Sequence, residues 1–240
     1  SYAMGVNEPR PVLNGCFVKT EEDGINIVAC DGFKLAVCSC ETELKKLEGS
    51  ERGVEYSFII PVKSVNELVK LLSDDEEDEV TVYMSHKNMV IAFENLTFFT
   101  RLINGEYVDY NRIINRNHRI QVYAQKQDII AALEKAALIT EERIAGSVRS
   151  HVRVEACGDI LKVSAVSSAG SIYDEFAIEH EGDDLSIAFN NRFLIDSIRA
   201  CRSDKIKISM SSPLMSINIE PCDEESGSEL FMLLPVRTRD

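Results

Sequence analysis

Three amphipathic stretches begin near Val62, Lys126 and Asn190, so successive starts lie 64 residues apart. Each stretch is followed by short segments rich in β-branched and apolar residues. A fixed period indicates one structural unit that the chain uses repeatedly. Because 64 residues exceed the periods of the common helical solenoids, we predict a unit made of one helix and several strands.

The segments between the helices carry strand and turn signals. Asp23-Gly24 and Asp31-Gly32 separate short apolar runs, and Asn14-Gly15 and Asn104-Gly105 also have turn chemistry. The predicted strands are 13–18, 25–30, 35–40, 58–60, 80–84, 89–93, 98–102, 150–156, 160–164, 174–180, 185–189, 205–210, 215–220 and 230–235. The order predicts an α+β protein with helices on one face of curved antiparallel sheets.

The repeat also suggests where the domains lie. The second half holds two helix-plus-strands units, whereas the first half holds one and most of another. By the same period a helix is expected just before residue 1, so we expect a first domain that lacks its first helix. We predict a cloning remnant at residues 1–3, a truncated domain at 4–116 and a second domain at 117–240.

Composition excludes several classes of protein. The chain has 240 residues, 45% of them hydrophobic and 28% charged, which is ordinary for a globular protein. Neither a membrane-spanning run nor a signal peptide is visible. The seven cysteines are an odd number without metal-site spacing, so we expect free thiols, no metal and no cofactor. No catalytic motif is present, and the acidic run at 74–79 reads as a solvated loop rather than a cation site.

Basic residues recur on the three helices although the formal net charge is −14. Lys63 and Lys70 are seven residues apart, so they share one side of their helix, and Arg192 and Arg199 repeat that spacing. The remaining helix, which begins near Lys126, carries Lys126 and Lys135, but their spacing does not place them on one side of it. For any one helix an ordinary solvated face is the favoured interpretation, and recurrence on three helices makes weak, salt-dependent binding to a phosphate backbone equally well supported.

Two longer motifs carry a resemblance to a known family. They are ACDGFKLAV at 29–37 and FMLLPVR at 231–237, accompanied by LNG at 13–15, GEYVDY at 105–110 and Arg112. In this order they resemble the β sliding clamps of bacterial replicative DNA polymerase III, over that family's middle and C-terminal domains.

The resemblance implies a DNA clamp fold and a non-catalytic role. Clamps of this family are cytoplasmic rings whose basic helices surround non-specifically bound double-stranded DNA, and they act as processivity factors in a nucleotidyltransferase complex. Arg10 joins the six helical basic residues as DNA-facing. Full-length subunits form a homodimeric ring, here expected through Leu138 and Ile139, while this fragment is expected to be monomeric.

The resemblance also implies a groove that captures short peptides from the polymerase catalytic subunit, the clamp loader and other polymerases. Carried over by motif, its residues are Leu13, Cys30, Gly32, Phe33, Lys34, Leu35, Val108, Arg112, Ile113, Asn190, Phe193, Leu214, Ser216, Met232, Leu233, Leu234, Pro235, Val236 and Arg237. The tail at 232–236 is unusually apolar for a chain terminus, which favours a groove over a closing core strand alone. We expect the apolar end of a peptide to lie against Leu35, Ile113 and Leu234.

The chain departs from the family pattern at three groove positions. Phe33 and Lys34 stand where His and Arg are common, and Val108 stands where Pro is common. Residues 238–240 extend past the usual end, so partner preference is expected to differ in detail. Two other functions remain open at this point, a protein-binding adaptor without DNA binding and a hydrolase on an α+β scaffold.

Overall fold

A computed structural model describes residues 1–46, 53–72, 79–93, 96–140, 151–168, 170–223 and 228–238. The chain divides into two compact units between Asp109 and Tyr110, with Tyr2 grouped with the second unit. The sequence had placed this division after residue 116. Ala3 and Met4, within or next to the expected cloning remnant, are both buried.

The described residues of unit 1 form seven strands and one long helix. Its elements are a 3-10 turn at Pro11–Asn14, β1 Gly15–Glu21, β2 Gly24–Cys30, β3 Lys34–Glu41, β4 Tyr56–Pro61, α1 Val62–Leu71, β5 Thr81–Met84, β6 Asn88–Phe93 and β7 Leu96–Arg101. The order β3-β2-β1-β4 forms one antiparallel sheet, and β5-β6-β7 forms another. The helix and its following strands are therefore one repeat unit, as the sequence period predicted.

The core of unit 1 lies where α1 meets both sheets. Leu68 of α1 packs in one cluster with buried residues of β1, β4 and β6, namely Val18, Ile60, Met89 and Ile91. Helix α1 ends where the Leu72 amide donates to the Leu68 carbonyl over 2.9 Å. Burial of this single apolar stripe leaves the opposite side of α1 exposed.

In the part of unit 2 that the structure describes there are nine strands and three helices. Its elements are α2 Tyr110–Ile113, β8 Ile120–Gln125, α3 Lys126–Thr140, β9 Val152–Cys157, β10 Ile160–Ser167, β11 Gly170–Ala177, β12 Glu179–Glu181, β13 Leu185–Phe189, α4 Asn191–Ala200, β14 Lys205–Met210, β15 Ile217–Pro221 and β16 Ser228–Leu233. One sheet has the order β12-β8-β14-β15-β16 and the other β11-β10-β9-β13, with antiparallel pairing.

Helices α3 and α4 pack against each other and against these sheets. Their inward residues include the fully buried Leu133 and Ile198, which face the apolar strand residues. Asn191 is also buried, and its side-chain amide donates to the Leu133 carbonyl over 3.0 Å and to the Thr140 hydroxyl over 3.2 Å. This side chain ties the start of α4 to the end of α3 within the core.

The structure confirms the helix period and the α+β class, with corrections at several strands. Residues 13 and 14 lie in the 3-10 turn rather than in a strand, and no turn forms at Gly15, which opens β1 in extended conformation. A Cβ at Gly15 would lie 2.5 Å from the Ile60 carbonyl oxygen, so close strand approach explains this glycine. The predicted strand at 174–180 is two strands, because β11 and β12 belong to different sheets.

The sequence analysis missed β8 and the short helix α2. Strand β8 has buried Ile120, Val122 and Ala124 alternating with less buried residues, a period-2 pattern that was readable from the sequence. The predicted domain boundary after residue 116 lies just before this strand, and the strand was left out of the prediction for that reason.

The acidic run at 74–79, predicted to be a solvated loop, lies outside the described residues except for Glu79. Of the terminal extension, only Thr238 is described. No helix in the described part of the chain is long and apolar enough to cross a membrane.

Candidate functional site

Strands β15 and β16 bring two predicted site segments of unit 2 to the same end of a sheet. The antiparallel register pairs Ile217 with Leu233, so the residues before β15 and those after β16 leave the ladder together. Leu214 and Met215 lie in the turn before β15, and Leu234 is the first residue after β16. The turn and the apolar tail are therefore neighbours.

The tail continues beside β13 and the start of α4. The Val236 amide donates to the Ala188 carbonyl over 2.8 Å, although β16 has already ended. Two residues after Ala188, Asn190 caps α4 by accepting a hydrogen bond from the Phe193 amide over 3.2 Å. Backbone hydrogen bonds thus hold the tail against the same region that carries Asn190 and Phe193.

Helix α2 is connected to this region through β15. The Asn115 carbonyl accepts a hydrogen bond from the buried Asn218 side chain over 2.8 Å, and Asn218 pairs with Met232 in the sheet. Arg112 and Ile113 of α2 are exposed just before Asn115. All of the predicted groove residues of unit 2 therefore belong to four segments connected by strand pairing or hydrogen bonds.

Exposure separates these residues into two groups. Ser216, Met232 and Leu233 are buried and serve the core rather than a surface. Leu214, at 67% exposure, and Leu234, at 38%, are exposed apolar side chains. Ile113, Val236 and Met215 are exposed as well, and Met215 was not predicted. Its position beside Leu214 in an apolar turn was the signal that could have found it.

In unit 1 the residues of the β2–β3 turn are held by one aspartate. The Asp31 carboxylate accepts the Phe33 amide over 2.9 Å and the Lys34 amide over 2.8 Å, and it forms an ion pair with the Lys34 ammonium group. Both charged side chains are nearly buried, at 11% and 7% exposure. Gly32 has φ of +89°, a conformation that glycine adopts easily, and Phe33 is 59% exposed at the tip.

The other predicted residues of unit 1 are less accessible. Leu13, Cys30 and Leu35 are buried, and burial raises the pKa of the Cys30 thiol. Val108 is half-buried. Because Leu35 has no exposed surface, a peptide has no access to its side chain in this structure, and Phe33 is the apolar side chain that this turn presents.

Six of the seven predicted DNA-facing residues are exposed, Lys126 is partly buried, and four of the seven form ion pairs with carboxylates. On α1, Lys63 is exposed, while the Lys70 ammonium group lies 2.8 Å from the Glu67 carboxylate. In unit 2, Arg199 pairs with Glu134 of α3, and Arg192 lies 4.0 Å from Asp196.

The remaining basic positions differ in their surroundings. Lys126 donates to the Cys201 carbonyl over 3.0 Å at the end of α4. Lys135 pairs with Asp174 of β11 over 2.7 Å, and its hydrogen bond lowers the pKa of that carboxyl group. Arg10 is exposed just before the 3-10 turn.

The chain matches two sequence models of one family across both units. Residues 1–109 match the central domain of the DNA polymerase III beta subunit, and residues 111–235 match its C-terminal domain. The chain belongs to the DNA polymerase III beta subunit family. The resemblance expected from the motifs is therefore confirmed, and so is the clamp fold.

Relatives and solved structures of the beta subunit family agree with this assignment. The beta sliding clamp of Lactococcus lactis is 29% identical over 242 residues, and that of Staphylococcus epidermidis is 26% identical over 240 residues. Each match covers 99% of this chain and 60% of the relative, so the chain spans about three fifths of their length.

Two crystal structures show the same fold. The sliding clamp of Bacillus subtilis has a TM-score of 0.87 at 25% identity, covering 99% of this chain and 60% of that one. The DNA polymerase beta subunit of Streptococcus pyogenes has a TM-score of 0.86 at 26% identity, covering 99% and 61%.

Two further observations bear on predicted sites of this beta subunit family member. Leu138, a predicted interface residue, is 75% exposed near the end of α3, and Ile139 is partly exposed. The described residues contain no group of three or more His, Cys, Asp and Glu side chains arranged to hold a metal ion.

Proposed function

We propose that this protein acts as a DNA sliding clamp, a non-catalytic processivity factor that binds short peptides from its partners. The observation that carries the proposal is the family match, which extends over both compact units and matches the central and the C-terminal domain in order. The relatives whose matches cover 99% of this chain are named beta sliding clamps.

The exposed apolar surface of unit 2 supports the peptide-binding part of the proposal. We define the tail site as Leu214, Met215, Leu234, Val236 and Ile113, all at least 37% exposed. Their backbone segments are held by the β15–β16 ladder, by the Val236–Ala188 hydrogen bond and, near Ile113, by the hydrogen bond from Asn218 to the Asn115 carbonyl, so the site is preformed. An apolar site of this kind suits a short extended peptide with an apolar end, because little ordering is required on binding.

The partners follow from the same proposal. The polymerase catalytic subunit, the clamp loader and other polymerases bind through such peptides, and the helix faces pass along double-stranded DNA without reading its sequence. The protein works in the cytoplasm and, at full length, as a homodimeric ring. The turn at residues 31–34 remains a predicted part of peptide recognition, with Phe33 as its apolar contact.

A titration with a labelled peptide tests the proposal. The peptide carries a Gln followed by apolar residues, and a scrambled peptide of identical composition is the control. Calorimetry with the 240-residue chain should give saturable binding of the first peptide and none of the second. Equal binding of both peptides, or of neither, would contradict the proposal.

The oligomeric state of this chain is a separate expectation. The two matched domains do not include the remaining part of the relatives, which the family resemblance assigns to the other half of the subunit interface. We expect light scattering in dilute solution to give the mass of one chain, 26.9 kDa. A stable assembly of ring size would contradict this expectation.

A further inference from the structure

Carboxylates stand beside four of the predicted DNA-facing residues on the helices, and in three of these pairs the carboxylate also lies on a helix. Glu67 lies one turn before Lys70 on α1, Glu134 of α3 pairs with Arg199 of α4, and Asp196 lies one turn after Arg192. The helix faces are therefore not purely basic surfaces, and each of these cations already has an anionic neighbour from its own chain.

All three pairs are accessible to a ligand. The exposed fractions of the two side chains are 66% and 57% for Lys70 and Glu67, and 52% for both Arg199 and Glu134. For Arg192 and Asp196 they are 77% and 35%. Ion pairs this exposed contribute little to folding, so the three carboxylates are not required as a structural element.

The pairing changes what a phosphate group gains on binding. A free cation that contacts DNA releases a counterion from the DNA, and this release drives non-specific binding. A cation that is already neutralised must first leave its carboxylate, which then recruits a cation from solution. The net release of counterions is therefore small, and the carboxylate that has lost its partner repels the phosphate.

We propose that Glu67, Glu134 and Asp196 attenuate the affinity of the helix faces for double-stranded DNA, so that the duplex is held loosely and slides. The inference rests on the proposed clamp function and adds to it the residues that limit the strength of the DNA contact. The inference predicts that removing these three negative charges strengthens DNA binding, whereas a role of the carboxylates in folding predicts no such gain.

The test is a triple variant, Glu67→Gln, Glu134→Gln and Asp196→Asn, compared with the unmodified chain. Binding to a short labelled duplex without overhangs is measured by fluorescence anisotropy from 20 to about 200 mM salt, the range over which non-specific binding changes most. We expect the affinity at low salt to rise about ten-fold, roughly two- to three-fold per carboxylate from screened Coulomb repulsion. The plot of log K against log salt should become steeper by up to about 2.7 units, or 0.9 per freed cation.

A matched control separates this local effect from a change in overall charge. Glu21, Glu179 and Glu220 form ion pairs with Lys19, Lys205 and Lys207 on strands rather than helices. Changing all three to Gln removes the same number of negative charges. This control should leave the slope unchanged and raise affinity less than two-fold, the small effect expected of screened distant charges.

Each outcome decides between two proposals. Equal gains in the helix variant and the strand control overturn the attenuation proposal, as does an unchanged slope in both. Replacing Lys63, Lys70, Arg192 and Arg199 with Ala tests the DNA contact itself. If that variant loses binding while the helix variant gains none, the attenuation proposal is wrong and the clamp proposal stands.

Discussion

The predicted peptide-binding residues and the predicted DNA-facing residues are held in opposite ways. The first group is tied down by buried contacts, including the Asp31–Lys34 ion pair, the Val236–Ala188 hydrogen bond and the fully buried Leu233 next to Leu234. Apart from Arg10, the second group lies on helices, and its charged pairs are mostly exposed. The two predicted sets of residues therefore differ in how firmly the structure holds them.

The difference has a physical origin. Buried hydrogen bonds and ion pairs are costly to break, because the partner left behind is removed from water without compensation. Exposed ion pairs exchange partners at little cost and are screened by salt. A site that recognises a specific peptide benefits from the first kind of contact, whereas a surface that moves along DNA requires the second.

The largest effect is expected from breaking the buried ion pair of the β2–β3 turn. Lys34→Ala leaves the Asp31 carboxylate nearly buried without its cation, which should destabilise the protein by about 3–5 kcal/mol. Urea unfolding followed by circular dichroism measures the change. Lys70→Ala, which breaks an exposed pair, is the control and should unfold at the same urea concentration as the unmodified chain. Similar losses in both variants would remove the distinction between the two regions.

An intermediate effect is expected at the tail site. Leu214→Ala or Leu234→Ala should each weaken binding of the apolar peptide by about 1–3 kcal/mol, roughly five- to hundred-fold, as for a hot-spot residue. Neither change should alter DNA binding.

Val166→Ala serves as the matched control for the tail site. Val166 is 73% exposed on β10, which β9 separates from β13 in their sheet, so it tests the loss of any exposed apolar residue. Calorimetry should show unchanged peptide affinity for this variant. If Val166→Ala weakens binding as much as Leu234→Ala, the assigned surface is wrong.

The smallest effect is expected from a comparison of two lysines on α1. Lys63 forms no ion pair with any residue in the described part of the chain, whereas Lys70 pairs with Glu67. Lys63→Ala should lower the salt slope of DNA binding by about one unit, and Lys70→Ala by clearly less. Anisotropy titrations at several salt concentrations give both slopes, and a larger change for Lys70→Ala would reverse the argument.

Much of the fold was predictable because its signals are local. The apolar period of α1, the start of a helix near Asn190 and the glycine turns around β2 depend on residues within a few positions of each other. The prediction of β8 failed for a local reason as well, because the domain boundary was placed directly before this strand. The family itself was recognisable from two motifs, so the position of the candidate site along the chain was known before its geometry.

The sequence by itself determined the repeated order of helices and strands, the basic positions on the helices and the apolar character of the tail. Only the tertiary structure decided which of those residues a partner can reach. Leu35 is fully buried and Phe33 is exposed two residues earlier, and Arg199 meets Glu134 across 65 residues of sequence. Exposure and charge pairing depend on contacts between distant segments, and those contacts are set by strand register and helix packing rather than by local pattern.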